Sequence, residues 1–317
     1  MSGKIKAFKR TDMTAWHGMT TTCALHLARY IQVWHHSRVS LKKIDCPLSS
    51  SHTLVVMANA STESVTSTWE YVWSIRDRRV DDWFLMSSPW YTLGLCVSYW
   101  IICLKLGPQF MANRKPYDLK RTIQAYNVFQ IALSAYMLYE ACAAGWLTHY
   151  SWICQDIERD ADGNGYRMAA AVHLYFLSKF TEFADTFFNV LRKKFNHVSR
   201  LQLIHHGVMP MQGYLGCRWL PGGHETLAGT FNCLIHVLMY SYFLLASLGF
   251  KIWWKKYLTT LQMFQFVCIF VHSSILVFGF AECGYPWQIS LNAMVLMILM
   301  FMLFLEYYIQ AYRNKRK

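Results

Sequence analysis

His205 and His206 stand side by side in an otherwise apolar stretch, QLIHHGVMP, running from Gln202 to Pro210. Ionisable side chains are costly in such surroundings, so their presence there points to chemistry. An imidazole is a competent nucleophile or base near neutral pH, and paired imidazoles also suit a metal ion. The flanking segments carry more polar groups at helical spacing, where residues three, four and seven apart share a face. In KFTEFADTFFNVLRKK, such a stripe contains Lys179, Glu182, Asp185, Thr186 and Asn189. Gln202, His205, His206 and Met209 form the next. NCLIHVLMYSYF supplies Asn232, His236, Met239 and Tyr240, and TTLQMFQF supplies Thr259, Gln262 and Gln265.

Turned toward lipid, each of these donors or charges would cost on the order of several kcal/mol. The stripes are therefore expected to face one another, around a polar chamber enclosed by helices. Each stripe alone has a plainer explanation. A single Gln or Asn in a span often only bonds a neighbouring helix. His236 alone would be a satisfied core residue, and Lys179 with Glu182 an internal ion pair that sets packing. Four consecutive stripes with a histidine pair among them favour a site.

The elements that must position these stripes are membrane spans. The chain has 317 residues, 54% of them hydrophobic and only 15% charged, and a formal charge of +13. The basic balance would suit a nucleic-acid binder, but long apolar runs exclude that class. A helix needs roughly 20 apolar residues to cross a bilayer. Seven candidate runs occur, at 90–106, 122–144, 168–191, 201–217, 227–250, 257–280 and 287–309. The expected fold is an all-α membrane protein of seven transmembrane helices around the polar chamber and an apolar tunnel.

Charge sets the expected orientation. Alternate connections are basic: Lys105, Arg114, Lys115, Lys120 and Arg121; then Arg192, Lys193, Lys194 and Arg200; then Lys251, Lys255 and Lys256. The tail adds Arg313, Lys315, Arg316 and Lys317. The other connections carry Asp156, Glu158, Asp160 and Asp162, then Glu225, then Glu282. The C-terminus is thus expected in the cytosol and the segment before the first span in a lumen. Asn59-Ala60-Ser61, a glycosylation acceptor pattern, falls on that lumenal side. Cys154 and Cys283 fall in lumenal loops, where an oxidising compartment favours a disulfide between them. The basic tail is similar to a dilysine-type retrieval signal of the endoplasmic reticulum. Residues 1–76 are polar and aperiodic, and are expected to form a mobile extension to a body at 77–317.

From about Asp82 to the end, the sequence closely resembles the ELO family, the elongases of very long chain fatty acids. KFTEFADT matches the family's Lys-x-x-Glu-x-x-Asp-Thr. HVLMYSYF matches His-x-x-Met-Tyr-x-Tyr-Tyr, with Phe243 in the last place. Thr259, Gln262 and Gln265 match Thr-x-x-Gln-x-x-Gln. LGPQFMANRKPYDLK, VLRKK and WWKKYLT also look like family segments, in the same order. One departure stands out: the family's box is His-x-x-His-His, and here Gln202 replaces the first histidine.

The resemblance implies condensation of a long-chain acyl-CoA with malonyl-CoA in the endoplasmic reticulum membrane. It also implies seven spans, a homodimer, and separate reductases and a dehydratase that complete the elongation cycle. No cofactor or metal is expected. By match to the family's second box histidine, His205 is the expected acyl carrier. His206 would orient it or act as base, and His236 would hold or protonate the reacting oxygen. Lys179 and Asp185 would support this network, or touch the thioester. Asn232, Tyr240, Glu182, Gln262 and Gln265 are expected to bind substrate. Arg192, Lys193, Lys255 and Lys256 would meet the CoA phosphates. Three other readings remain open at this stage: a histidine-box metal oxidase or desaturase, a receptor or transporter, and a non-catalytic relative that has lost the first box histidine.

Overall fold

In the structure, a computed structural model, residue 70 and residues 72–313 are described. Asn59, almost all of the 1–76 extension, and the tail from Asn314 lie outside them. The regular elements among the described residues are all helices, with no strand among them. We label the main helices α1 (Pro89–Ile101), α2 (Lys120–Ala141), α3 (Asn164–Thr181), α4 (Phe183–Leu191), α5 (Arg200–Trp219), α6 (Thr226–Leu248), α7 (Lys255–Val277) and α8 (Trp287–Tyr308). Local chemistry sets several ends. The Ser88 hydroxyl accepts from Trp90 N ahead of Pro89, a residue suited to a helix's first position. Ser199 caps α5 through Gln202 N. Gly249, at φ 100°, ends α6 in a left-handed conformation that a side chain would disfavour.

Five helical rods are long and apolar enough to cross a membrane: Pro89–Met111, Lys120–Trp146, Thr226–Leu248, Lys255–Val277 and Trp287–Tyr312. The expected runs at 168–191 and 201–217 are also helical, as α3–α4 and α5, but are not among them. The reason is compositional. These segments hold Lys179, Glu182, Asp185, His205 and His206, so the residues that suggest chemistry also lower the hydropathy. α2 packs most extensively on α6, α7 on α8, and α5 on both α3 and α1.

The chain ahead of α1 is fastened to this body. Val80 and Met86 are buried with Phe176, Tyr214 and Cys217. Val72 O accepts from the Trp219 indole at 2.7 Å, so contacts reach into the residues assigned from sequence to the extension. Buried Arg218 pairs with Asp81 at 2.7 Å. Farther along, Cys154 and Cys283 are joined by a disulfide across 129 residues of sequence.

Asp77 is buried and bound by Arg79 at 2.8 Å and Arg159 at 3.4 Å. Burial by itself pushes its carboxyl pKa up. The hydrogen bonds and charge of Arg79, with the charge of Arg159, outweigh that and hold the pKa below its ordinary value. A carboxylate lowered in the folded state adds stability above its unfolded value of about 4, and loses it as pH falls through the folded value. Asp77→Asn is therefore expected to lower the melting temperature at pH 7, by about 1–3 kcal/mol of stability. The gap between variant and wild type should close on acidification. Melting curves of purified protein from pH 7 to pH 3 measure both effects.

Candidate active site

The site begins with a fault in a helix. Ser178 donates from its hydroxyl to Tyr175 O, and Thr181 to Ser178 O, each at 2.7 Å. Such back-bonding competes with the helical ladder and bends it. α3 stops at Thr181 and α4 starts at Phe183, with Glu182 at the junction. Irregularity of this kind recurs at functional positions.

Glu182 is the hub. Its Oε1 lies 2.6 Å from Lys179 Nζ and 3.4 Å from His236 Nδ1, and its Oε2 lies 3.8 Å from His206 Nδ1. Lys179 and Glu182 are each only 2% exposed. Among the described residues, neither Glu182 Oε2 nor His206 Nδ1 has a hydrogen-bond partner. His205 sits edge-on to His206, ring centres 5.2 Å apart, and is less buried than Glu182. Ligand atoms of Glu182, His205 and His206 lie within 4.8 Å of one another.

Two further networks flank the hub. Asn232 Oδ1 accepts from Lys179 Nζ at 3.1 Å and from the Tyr175 hydroxyl at 3.0 Å. The Lys179 ammonium also lies 4.2 Å from the centre of the Tyr175 ring. On the other side, the Tyr240 hydroxyl donates to Asp185 Oδ2 at 2.7 Å. Tyr126 OH is 3.4 Å from Tyr240 OH, and Gln130 donates to Tyr126 at 2.8 Å. Gln262 donates to Met239 Sδ at 3.6 Å, linking α7 to the α6 stripe.

α5 must be held so that its imidazoles reach Glu182. Gly207 lies flat against the Trp100 indole, where any Cβ would collide. The same indole donates to Leu203 O at 3.0 Å. Pro210, inside α5, has no N–H, so the carbonyl of His206 lacks its usual helical donor. A β-carbon at 207 would thus displace α1 from the segment that carries the box.

Lys179, Glu182, Asn232, His206 and His236 are brought into one network, with His205 beside it and Asp185 with Tyr240 next to it. Other expected residues stand apart. Gln265 is buried on α7, one turn beyond Gln262. Lys193 has φ 54° and donates to Ala112 O at 3.1 Å. Arg192 caps α4, and Lys255 is exposed at the start of α7. A crevice of about 780 Å³ between α2 and α3 is lined by residues such as Tyr136, Glu140, Arg167 and Leu174, and by none of the box histidines. Tyr175, Tyr126 and Gln130 also join these networks and are not among the residues expected from sequence. Tyr175 lies one turn before Lys179, so extending that stripe upstream would have found it. Tyr126, Gln130 and Ser134 share a face of the second run, a polar stripe at helical spacing.

These features define a multi-pass, all-helical membrane protein with a buried Lys–Glu pair joined to imidazoles from two other helices. The chain belongs to the ELO: GNS1/SUR4 family, whose pattern matches residues 84–317. It is 43% identical over 262 residues to a very long chain fatty acid elongase of Aedes aegypti, covering 80% of this chain and 72% of that one. It is 41% identical over 240 residues to very long chain fatty acid elongase 7 of Drosophila melanogaster, covering 74% and 73%. Human very long chain fatty acid elongase 4 is 35% identical over 268 residues, covering 83% and 84%.

Proposed function

We propose that this chain catalyses the condensation that opens each round of fatty acid elongation. The observation that carries this reading is the Glu182 hub. It joins Lys179 of α3 to His206 of α5 and His236 of α6, with His205 on the more open side. A His205 ring nitrogen attacks the thioester of a long-chain acyl-CoA. The C–S bond breaks, and CoA leaves as thiolate and takes up a proton. Malonyl-CoA then loses CO2, the electron pair of the broken C–C bond remaining as an enolate. The enolate carbon attacks the acyl-imidazole, a C–C bond forms, and the C–N pair returns to the ring. The balance is acyl-CoA plus malonyl-CoA plus a proton, giving 3-oxoacyl-CoA, CO2 and CoA.

Glu182 holds His206 and His236 in register and pairs with Lys179 beside them. The tyrosine pair on Asp185 closes the other flank. Arg192, Lys193, Lys255 and Lys256 are the cations available to CoA phosphates at helix ends. In this reading the 77–317 body spans the endoplasmic reticulum membrane seven times, with a cytosolic C-terminus. It works as a homodimer and passes product to separate reductases and a dehydratase, with no cofactor of its own.

One observation favours a second reading: Glu182, His205 and His206 are close enough to share a metal ion. Against it, Lys179 already occupies Glu182 at 2.6 Å, and its positive charge opposes a second cation there. Purified protein tests both readings. Condensation predicts incorporation of radiolabelled malonyl-CoA into acyl-CoA acceptors without stoichiometric metal. Bound iron or zinc, with no incorporation, would reverse the assignment.

Gln202 is the departure from the box on which a non-catalytic reading would rest. It lies in the first turn of α5, where its backbone N–H is capped by Ser199. The Glu182 hub is complete without it. Gln202→His is expected to leave the incorporation rate unchanged or raise it by no more than about threefold, the scale of one exposed hydrogen bond. A strong fall in the same assay would show that the amide itself is required.

A further inference from the structure

We infer that Tyr175 is a positioning residue, which turns the Asn232 amide so that its NH2 group faces the reacting thioester; the inference rests on the condensation reading. The argument is one of donors and acceptors. Asn232 Oδ1 receives two donors, the Tyr175 hydroxyl at 3.0 Å and the Lys179 ammonium at 3.1 Å. An ammonium has only protons to offer, so the atom it meets must be the amide oxygen. The oxygen's two lone pairs are then both taken. The amide nitrogen points the other way and makes no hydrogen bond within the described residues.

That nitrogen also lies in useful company. Asn232 is partly exposed, whereas the Lys179 bonded to it is buried. His236 stands one turn farther along α6, on the same face. Two N–H donors one turn from an imidazole on the same helix suit the oxygen of a thioester, on which charge builds as an enolate or a tetrahedral adduct forms. Lys179 alone would leave the amide free to swing about one contact. Tyr175 supplies the second contact and fixes the plane. Its ring lies under the Lys179 ammonium at 4.2 Å, so one side chain steadies both partners of the bond.

The test uses the purified full-length chain, octadecanoyl-CoA and radiolabelled malonyl-CoA. Tyr175→Phe keeps the ring beneath Lys179 and removes only the hydroxyl. It is expected to lower kcat about tenfold, the worth of one well-placed hydrogen bond, with KM for both substrates within about twofold. Asn232→Ala is expected to lose more. In the Asn232→Ala background, Tyr175→Phe is expected to cost nothing further, because its effect passes through that amide. Asn232→Asp keeps the accepting oxygen and deletes the NH2 group, and should lose at least as much as Tyr175→Phe. It carries the test if the phenylalanine variant does not purify as a single species. Undiminished kcat in Tyr175→Phe or in Asn232→Asp, or losses that multiply in the double variant, would overturn the inference. A wild-type chain that incorporates no label would take down the condensation reading, and this inference with it.

Discussion

His205→Ala is expected to abolish malonyl-CoA incorporation, by at least about 10³-fold, since removing a nucleophile eliminates a whole route. The protein should nevertheless remain folded. His205 is only partly buried, and its contacts with the hub are looser than those of Lys179. Melting within a few degrees of wild type would separate lost chemistry from lost structure. Incubation with octadecanoyl-CoA alone supplies a second readout. Mass spectrometry of the wild-type chain should find the acyl mass on the peptide holding Gln202–Pro210, absent from His205→Ala. An adduct on His206 would move the nucleophile by one position. Full incorporation by the alanine variant would remove the acyl-imidazole from the mechanism.

Much of this site could be read from sequence because it lies on helices with fixed spacing. The interval between Lys179 and Glu182 is one turn, and the structure joins their side chains at 2.6 Å. The interval between Asn232 and His236 is also one turn, and both face the Lys179–Glu182 pair. What spacing could not reveal was which stripe lies opposite which. Tyr126 meets Tyr240 from another helix, 114 residues away, and nothing local to either residue announces the pairing. The runs at 168–191 and 201–217, expected as spans, are helical but are not among the five rods long and apolar enough to cross a membrane. A helix that hides its polar face against neighbours is, by composition alone, less apolar than one bathed in lipid. The break at Glu182 was equally silent, because Ser178 and Thr181 act through backbone carbonyls that no residue pattern displays.

The pair at the centre gives the second large effect. Lys179→Met removes the one Lys or Arg charge bonded to Glu182 among the described residues and leaves a buried carboxylate facing two imidazoles and a methyl group. Breaking a buried ion pair from one side costs about 3–5 kcal/mol, because the remaining charge is stranded. The variant is expected to melt much lower than wild type and to show no measurable incorporation. Lys179→Met with Glu182→Gln together should be milder for folding, since no charge is left behind. Activity should stay lost in the double variant: Asn232 no longer has its ammonium donor, and His206 and His236 no longer face a carboxylate. Recovered stability without recovered turnover would mean that the pair serves the reaction beyond holding α3 in place. If the double variant recovered both, Lys179 and Glu182 would be packing elements, and the hub would lie outside the chemistry.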